Sequence, residues 1–265
     1  PRFLFEPDTK DACTHVVRLC RAEGVPLLVL GGGCNLVVHD GEIDGAVIAT
    51  RQLKHFRVFD DRVEVGAGYG FPGLVRKAID LGIPGLPGCP GIPGSVGGVV
   101  FMNAGGRFGS VSDALIEVTG LDAEGNSFRR FIQEGDLGYR SSPFAGCLVT
   151  GATFRRDPAQ TPEMGQALYN KALGWKRDTQ PLSARSAGCI FKNPDGPRSA
   201  GWLIEQSGLK GRRIGGAMVS MQHANFIVNA GGARAEDVHA LITLIQAEVQ
   251  RLQGVDLELE VQTWA

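Results

Sequence analysis

Residues Gly91 to Gly98 read Gly-Ile-Pro-Gly-Ser-Val-Gly-Gly, and five of these eight residues are glycine or proline. The run Asn103-Ala-Gly-Gly106 follows shortly after. Glycine at this density lets the main chain approach another group closely, because no Cβ stands in the way. A purely structural loop is one interpretation. A flat aromatic cofactor lying against the main chain is the other, and it explains the whole stretch.

A second glycine run, Gly31-Gly-Gly33, follows the apolar strand predicted for residues 25–30. In a Rossmann unit these glycines would open a helix whose N-terminus holds a pyrophosphate. Here Leu36-Val-Val38 predicts another strand instead, so we reject the Rossmann interpretation. A nest of successive backbone N–H groups can still bind phosphate, and a tight turn between strands is the structural alternative.

The stretch Ser186-Ala-Gly-Cys-Ile-Phe-Lys-Asn-Pro194 places a thiol, Cys189, between Gly188 and the polar pair Lys192-Asn193. A thiol beside cations is a usable acid or nucleophile. Cys189 is therefore a candidate proton donor. The alternative is a small buried hydrophobic residue, which is the usual role of a cysteine outside a disulfide.

Two other polar positions are candidates for chemistry. Arg140, in the cluster Tyr139-Arg-Ser-Ser142, could clamp a carboxylate or stabilise an enolate, and a surface arginine is the alternative. Glu258 and Glu260 are two residues apart in a predicted closing strand, residues 257–263, which puts them on the same side. A solvated strand carboxylate is the alternative for Glu260.

Composition limits the class of protein. The 265 residues are enough for two domains, and a net charge of −1 predicts no electrostatic attraction to nucleic acid or an anionic membrane. No apolar run approaches the roughly 20 residues that span a bilayer. The six cysteines are irregularly spaced without a Cys-x-x-Cys pair, which argues against zinc or a disulfide framework and favours a reducing cytosol.

Periodicity and turn signals predict the elements. Helices are predicted over residues 9–23, 72–81 and 235–252, with one more helical turn after Ser95. Strands are predicted at residues 25–30, 36–38, 46–50, 63–65 and 257–263, with two more between residues 111 and 131. Asp157-Pro158 and Thr161-Pro162 indicate a linker, so the predicted domains are residues 1–157 and 158–265.

The order of these motifs resembles that of the UDP-N-acetylenolpyruvoylglucosamine reductase (MurB) family, over essentially the whole chain. The motifs that carry the resemblance are Gly31-Gly-Gly-Cys-Asn-Leu36, Gly91 to Gly98, Met102-Asn-Ala-Gly105, Tyr139-Arg-Ser-Ser-Pro-Phe144, Ser186 to Pro194, Ala200-Gly-Trp-Leu-Ile-Glu-Gln-Ser-Gly-Leu-Lys-Gly211 and His223-Ala-Asn-Phe-Ile-Val-Asn229. The short stretch between Arg155 and Ser186 is similar to the branch of the family that lacks an extra loop with a substrate-covering tyrosine.

The resemblance implies an α+β fold, with an FAD-binding domain of the vanillyl-alcohol oxidase (PCMH) type made of two α/β subdomains and a C-terminal α+β substrate-binding domain. It implies bound FAD, NADPH as co-substrate, and reduction of UDP-N-acetylglucosamine enolpyruvate to UDP-N-acetylmuramate in peptidoglycan precursor synthesis. Hydride would pass from NADPH through flavin N5 to substrate C3, followed by protonation at C2. We expect a cytoplasmic monomer that acts on a small molecule and binds no nucleic acid, membrane or metal.

The resemblance also implies roles for individual residues. Cys189 would donate the proton, and Arg140 and Glu260 would stabilise the enolate. The implied FAD contacts are Gly31, Gly32, Gly33, Cys34, Asn35, Leu36, Gly91, Ile92, Gly94, Ser95, Gly97, Gly98, Asn103 and Ala104. The implied substrate contacts are Tyr139, Lys176, Asn193 and His223.

Three departures from the family pattern leave alternatives open. Cys34 and Cys189 stand where the family commonly has serine, and the family's Thr-rich N-terminal segment is not among the 265 residues. One alternative is an FAD-dependent oxidoreductase of the same superfamily with another substrate. The other is a catalytically silent protein that binds a flavin or a nucleotide sugar. The chemically competent set Arg140, Cys189 and Glu260 argues against both.

Overall fold

The computed structural model describes residues 1–264. The α-helices are α1 (Lys10–Ala22), α2 (Phe71–Leu81), α3 (Val96–Phe101), α4 (Pro162–Thr179), α5 (Ala200–Gln206) and α6 (Ala235–Gln253). The strands are β1 (Phe3–Phe5), β2 (Leu27–Leu30), β3 (Leu36–Val38), β4 (Ala46–Ala49), β5 (Phe56–Val58), β6 (Arg62–Gly66), β7 (Gly105–Gly106), β8 (Gly109–Ser110), β9 (Leu115–Leu121), β10 (Ser127–Phe131), β11 (Leu148–Arg155), β12 (Ser186–Cys189), β13 (Arg213–Ile214), β14 (Ala217–Val219), β15 (Phe226–Asn229) and β16 (Gln262–Trp264). Short 3₁₀ helices cover Thr50–Gln52, Leu86–Gly88 and Val111–Asp113.

The described chain divides into two compact units. Unit 1 consists of residues 1–33 and 44–175, and unit 2 consists of residues 34–43 together with the chain from residue 176 onward. The domain boundary predicted after residue 157 differs from this division in two places. Residues 158–175 lie in unit 1, and the segment 34–43 lies in unit 2.

Unit 1 contains two larger sheets and the short antiparallel pair β7–β8. Strands β1, β4 and β2 form a parallel sheet in that order. Strands β10, β9, β11, β6 and β5 form an antiparallel sheet. Helices α1 and α2 contribute apolar faces to the core of this unit, with Val16, Val17, Leu74 and Ala78 buried there. Burial of one apolar face at helical spacing is what the sequence pattern predicted.

Unit 2 has its own core. Strands β12, β15, β14 and β13 form an antiparallel sheet, and β3 pairs in parallel with β16. Helix α6 covers this core with Leu241, Ile242, Ile245 and Val249, which are buried. The segment 34–43 belongs to unit 2 because β3 bonds to the last strand of the chain.

Local chemistry sets the helix ends. Helix α1 begins after Thr9, whose Oγ1 accepts a hydrogen bond from the backbone N–H of Ala12 at 3.2 Å. Helices α2 and α6 end at Gly82 and Gly254, which adopt left-handed φ angles of 63° and 67°. The three helices predicted by periodicity are therefore confirmed. The predicted strand after Gly31–Gly33 is also confirmed, as β3.

Helix α4 is an element that the sequence reasoning missed. It begins at Pro162, within the stretch interpreted as a linker, and its glycines Gly165 and Gly174 weakened the helical signal. A Cβ on Gly165 would lie 3.1 Å from Ile79 Cα, so the glycine allows close packing of α4 on α2. Helix α4 fills most of the stretch between Arg155 and Ser186.

The predicted closing strand over residues 257–263 is wrong in its first part. Before β16 begins at Gln262, Leu259 makes one isolated antiparallel bridge, to Phe191, and Glu258 is exposed whereas Glu260 is buried. The strand is interrupted between Leu259 and Gln262, where the carbonyl oxygen of Ile190 accepts from the N–H groups of both Glu260 (2.8 Å) and Val261 (3.3 Å). This irregularity follows Glu260, so it does not separate the sides of Glu258 and Glu260, which flank the bridge between Leu259 and Phe191; the two carboxylates differ in burial.

Candidate active site

The two glycine loops of unit 1 pack directly against each other. A Cβ on Gly31 would lie 2.8 Å from Ser95 Oγ, and a Cβ on Gly32 would lie 2.5 Å from Gly94 Cα. On the other side, Gly97 donates its N–H to the carbonyl of Ala67 at 2.8 Å. Only glycine permits this approach of main chain to main chain. The structure therefore brings together Gly31–Gly33 and Gly94–Gly98. The sequence showed only that both stretches are rich in glycine.

The junction of these loops fits a cofactor rich in hydrogen-bonding atoms. Ser95 stands at the start of α3, and its Oγ is the buried side-chain polar atom that has no hydrogen-bond partner within residues 1–264. An unpaired buried hydroxyl is costly, and such groups usually have a partner in the working state. The donor set of hydroxyl and backbone N–H groups is one that suits the phosphates of FAD. The other implied contacts of the second loop, Gly91 and Ile92, lie at the start of the same segment.

The remainder of the first motif lies in unit 2. Asn35 donates from Nδ2 to the backbone oxygen of Glu260 at 2.9 Å, and its own carbonyl accepts from Gln262 N at 2.9 Å. Leu36 then opens β3. Burial raises the pKa of the Cys34 thiol, so this cysteine stays protonated at neutral pH. Asn35 thus fixes the segment that carries Glu260.

Arg140 lies in a tight turn of unit 1. Gly138 and Ser141 bond to each other through both backbone groups, at 3.1 and 3.2 Å, and Arg140 between them has a left-handed φ of 52°. Its guanidinium donates from Nη2 to the carbonyl of Gly105 at 3.1 Å and lies 5.2 Å from the ring centroid of Tyr139. A non-glycine residue in this backbone region marks a constrained position and is found disproportionately at functional sites.

Cys189 and Glu260 lie on adjoining segments of unit 2. Cys189 ends β12 opposite Phe226 of β15, after Gly188 with a φ of 85°. The next residue, Ile190, accepts the N–H of Glu260. Glu260 is only 9% exposed, and Cys189 is partly exposed. The structure therefore brings a thiol-bearing strand end and a buried carboxyl group to the same region of unit 2.

Three implied substrate contacts also belong to unit 2. Lys176 is buried near the end of α4, and Asn193 accepts the N–H of Ala200 on its Oδ1 at 3.0 Å. Burial, with Lys210 as a second cause, lowers the pKa of His223, so its imidazole is neutral at pH 7. Its Nδ1 accepts from the N–H of Asn225 at 3.3 Å, which leaves the proton on Nε2.

Asn225 fixes the backbone that follows Cys189, a contact that the sequence did not predict. It is buried, its Oδ1 accepts the N–H of Phe191 at 3.0 Å, and its Nδ2 donates to the Phe191 carbonyl at 2.8 Å. Its own carbonyl accepts the N–H of Ile190 at 2.9 Å. The backbone that follows Cys189 is thereby fixed. The signal was an amide inside the apolar run Ala224-Asn-Phe-Ile-Val228, because a buried amide requires hydrogen-bond partners.

Comparison with known proteins identifies the family. Residues 1–129 match the profile of the family described as FAD binding domain, and residues 180–264 match UDP-N-acetylenolpyruvoylglucosamine reductase, C-terminal domain. The UDP-N-acetylenolpyruvoylglucosamine reductase of Trichormus variabilis is 42% identical over 261 residues, which cover 97% of this chain and 78% of the relative. The chain belongs to the UDP-N-acetylenolpyruvoylglucosamine reductase family. The reductase of Moorella thermoacetica is 39% identical over 98% of this chain and 86% of its own length.

The fold agrees with that of a solved member of the reductase family. The crystal structure of UDP-N-acetylenolpyruvylglucosamine reductase (MurB) from Thermus caldophilus superposes with a TM-score of 0.81 at 37% identity, covering 99% of this chain and 92% of that one. The predicted α+β fold, an FAD-binding domain followed by a C-terminal domain, is confirmed. The chain is a flavin-dependent oxidoreductase of this family, with FAD as its cofactor.

Two other findings bear on the expectations from sequence. The matched FAD-binding profile includes both glycine loops as well as Asn103 and Ala104. Among residues 1–264, no helix combines the length and the apolar character that a bilayer span requires. The individual contacts to FAD and to the substrate stay predictions, as does the monomeric state.

Proposed function

We propose that the chain reduces UDP-N-acetylglucosamine enolpyruvate to UDP-N-acetylmuramate, with NADPH as the source of hydride, as a step of peptidoglycan precursor synthesis in the cytoplasm. The activity named for its relatives supports the reaction. One observation supports the assignment of catalytic residues. Unit 2 holds a partly exposed cysteine, Cys189, and a buried glutamate, Glu260, on neighbouring segments, because the N–H of Glu260 donates to the carbonyl of Ile190.

The chemistry supplied with bound FAD is the transfer of a hydride from NADPH to C3 of the enolpyruvyl group. The protein residues proposed to hold FAD are the glycines of the two loops, through backbone N–H groups other than that of Gly97, which donates to Ala67, and Ser95 through its hydroxyl. Because the loops pack main chain against main chain, their N–H groups are already fixed before a ligand binds. Preorganised donors avoid the reorganisation that a flexible loop would require.

Cys189 is proposed to deliver the proton. Addition of hydride at C3 leaves a pair of electrons at C2, delocalised into the adjacent carboxylate as an enolate. The S–H bond of Cys189 then breaks, a C2–H bond forms, and the sulfur becomes a thiolate that solvent reprotonates. A free thiol has a pKa of roughly 8.5, which makes it a stronger acid than the serine hydroxyl it replaces. Proton delivery by a positioned group contributes roughly 10²- to 10⁴-fold to a rate.

Arg140 and Glu260 are proposed to stabilise the enolate. A guanidinium can bind both oxygens of the substrate carboxylate as negative charge builds on them. A carboxyl group can help only as a hydrogen-bond donor, so Glu260 would act in its protonated form at this step. Tyr139, Lys176, Asn193 and His223 are proposed to bind the substrate.

Substitution of Cys189 tests this proposal. We expect Cys189→Ala to keep FAD reduction by NADPH at the wild-type rate and to lower turnover by roughly 10²- to 10⁴-fold, because protonation follows hydride transfer. Cys189→Ser should keep substantial activity. Stopped-flow absorbance measures the first half-reaction, and steady-state NADPH consumption measures turnover.

Cys147→Ala is the matched control, since Cys147 is a partly buried cysteine of unit 1 outside the proposed site. It should leave both rates unchanged. If Cys189→Ala slowed flavin reduction as much as turnover, Cys189 would not be a dedicated proton donor.

A further inference from the structure

Asn103 has both ends of its side-chain amide engaged inside unit 1. Its Nδ2 donates to the carbonyl of Gly138 at 2.8 Å, and its Oδ1 accepts the N–H of Ser112 at 3.2 Å. The residue is buried, with 7% exposure. Because one end bonds to a carbonyl and the other to an N–H, the orientation of the amide is determined. This side chain therefore connects the segment after α3 to the turn that carries Arg140.

Two further contacts anchor the same turn to the same segment. Ser142 Oγ donates to the carbonyl of Phe101 at 2.6 Å, and the Arg140 guanidinium donates to the carbonyl of Gly105. Three alternate residues, Phe101, Asn103 and Gly105, thus each hold one part of the turn. Of these three residues, Asn103 is the one that bonds to Gly138, the first residue of the turn.

The backbone conformation explains why such anchors are needed. Asn103 and Arg140 are the non-glycine residues with positive φ within residues 1–264, at 41° and 52°. Asparagine tolerates this region better than most residues, whereas arginine does not favour it. A strained conformation persists only where its surroundings over-determine it. The hydrogen bond from Asn103 to Gly138 is one of the contacts that hold Arg140 in this conformation.

We infer that Asn103 is a positioning residue for Arg140, acting through the turn Gly138–Ser141. This inference rests on the proposed role of Arg140 in stabilising the enolate. It differs from the role implied by sequence, in which Asn103 contacts FAD, because the amide bonds to the turn and to Ser112. A displaced guanidinium would stabilise the transition state of substrate reduction less well, whereas the separate half-reaction, in which NADPH reduces FAD, would keep its rate.

Asn103→Asp in the holoenzyme is the test. Aspartate has the shape of asparagine and also tolerates positive φ. It replaces the Nδ2 donor with a carboxylate oxygen, which cannot donate to the Gly138 carbonyl. We expect turnover to fall roughly 10- to 100-fold, the scale expected for a small displacement of a catalytic group. FAD content, the rate of FAD reduction by NADPH and the KM for the enolpyruvyl substrate should stay at wild-type values. Ser142→Ala, which removes another anchor, should show the same selective loss.

The coupling to Arg140 is measured by a double-mutant cycle. Added to Arg140→Ala, the substitution Asn103→Asp should cause no further loss, because the group it positions is gone. Asn126→Asp is the matched control, since Asn126 also holds a turn of unit 1 through its amide, to Asp122, and should leave every rate unchanged. If Asn103→Asp does not fold, Asn103→Gly removes the amide and keeps the positive φ without strain.

Three outcomes would overturn the inference. Loss of FAD, or slowed reduction by NADPH, in Asn103→Asp would make Asn103 a cofactor contact. If the fold loss of turnover in the double mutant equalled the product of the two single-mutant losses, Asn103 would act independently of Arg140. The proposed function would then still stand. A wild-type turnover rate in Arg140→Ala would instead overturn the proposed role of Arg140, and the inference with it.

Discussion

Gly32 is a residue whose lack of a side chain has a consequence that can be measured. A Cβ there would lie 2.5 Å from Gly94 Cα and 3.0 Å from Ser95 N, both of them main-chain atoms that cannot rotate away. Gly32→Ala should therefore push the two loops apart and weaken FAD binding by on the order of 10-fold or more, about 1.4 kcal/mol. Titration of the apoprotein with FAD, followed by flavin fluorescence, measures the effect. Wild-type FAD affinity in a folded variant would show that these loops do not hold the cofactor.

At the scale of residues, the sequence predicted where the backbone approaches closely, but it did not predict which side chains hydrogen-bond to distant backbone. The glycine loops could be interpreted as places of close backbone approach, and the structure confirms that approach between Gly31–Gly33 and Gly94–Gly98. The roles of Asn35, Asn103 and Asn225 in bonding distant backbone could not be predicted, because each partner is far away in sequence. The different burial of Glu258 and Glu260 could not be predicted, because a two-residue spacing does not reveal which carboxylate the rest of the chain covers.

Helices whose ends carry a capping residue or a terminal glycine could be predicted from the sequence, and the helix that lacks a clear pattern between such signals could not. Thr9 before α1 and Gly254 after α6 bracket a clear periodic pattern. Helix α4 lacks that pattern, and its glycines have a packing role that the sequence does not reveal. Strand β16 is short and pairs with β3 near the other end of the chain, so its true extent depended on long-range pairing.

Two substitutions of the same kind should have opposite effects on helices α4 and α6. Gly174 lies inside α4, and a Cβ added there would meet no atom within 4 Å, so Gly174→Ala should stabilise the protein by about 0.5–1 kcal/mol. Gly254 ends α6 with a φ of 67°, so Gly254→Ala should destabilise it by about 1–2 kcal/mol. Urea unfolding followed by circular dichroism gives both values. A loss of stability in Gly174→Ala would contradict the helix described here.

At the scale of the whole molecule, two separate cores share one chain that passes between them more than once. The segment 34–43 leaves unit 1 and completes the β3–β16 pair of unit 2, which no composition shift or linker signal marks. The general α+β class and the FAD-binding domain could be predicted, because they follow from motifs that resemble a known family. The discontinuous division could not, because it depends on a pairing between the two ends of the chain.

The central claim, reduction of the enolpyruvyl sugar through FAD, is tested most directly by anaerobic visible absorbance of the purified protein with FAD. NADPH should bleach the oxidised flavin band, and UDP-N-acetylglucosamine enolpyruvate added afterwards should restore it with formation of UDP-N-acetylmuramate. Bleaching without recovery would contradict the claim and indicate a flavin-dependent oxidoreductase with another acceptor. No bleaching by NADPH in protein that retains FAD would contradict it too, and would indicate a silent binder.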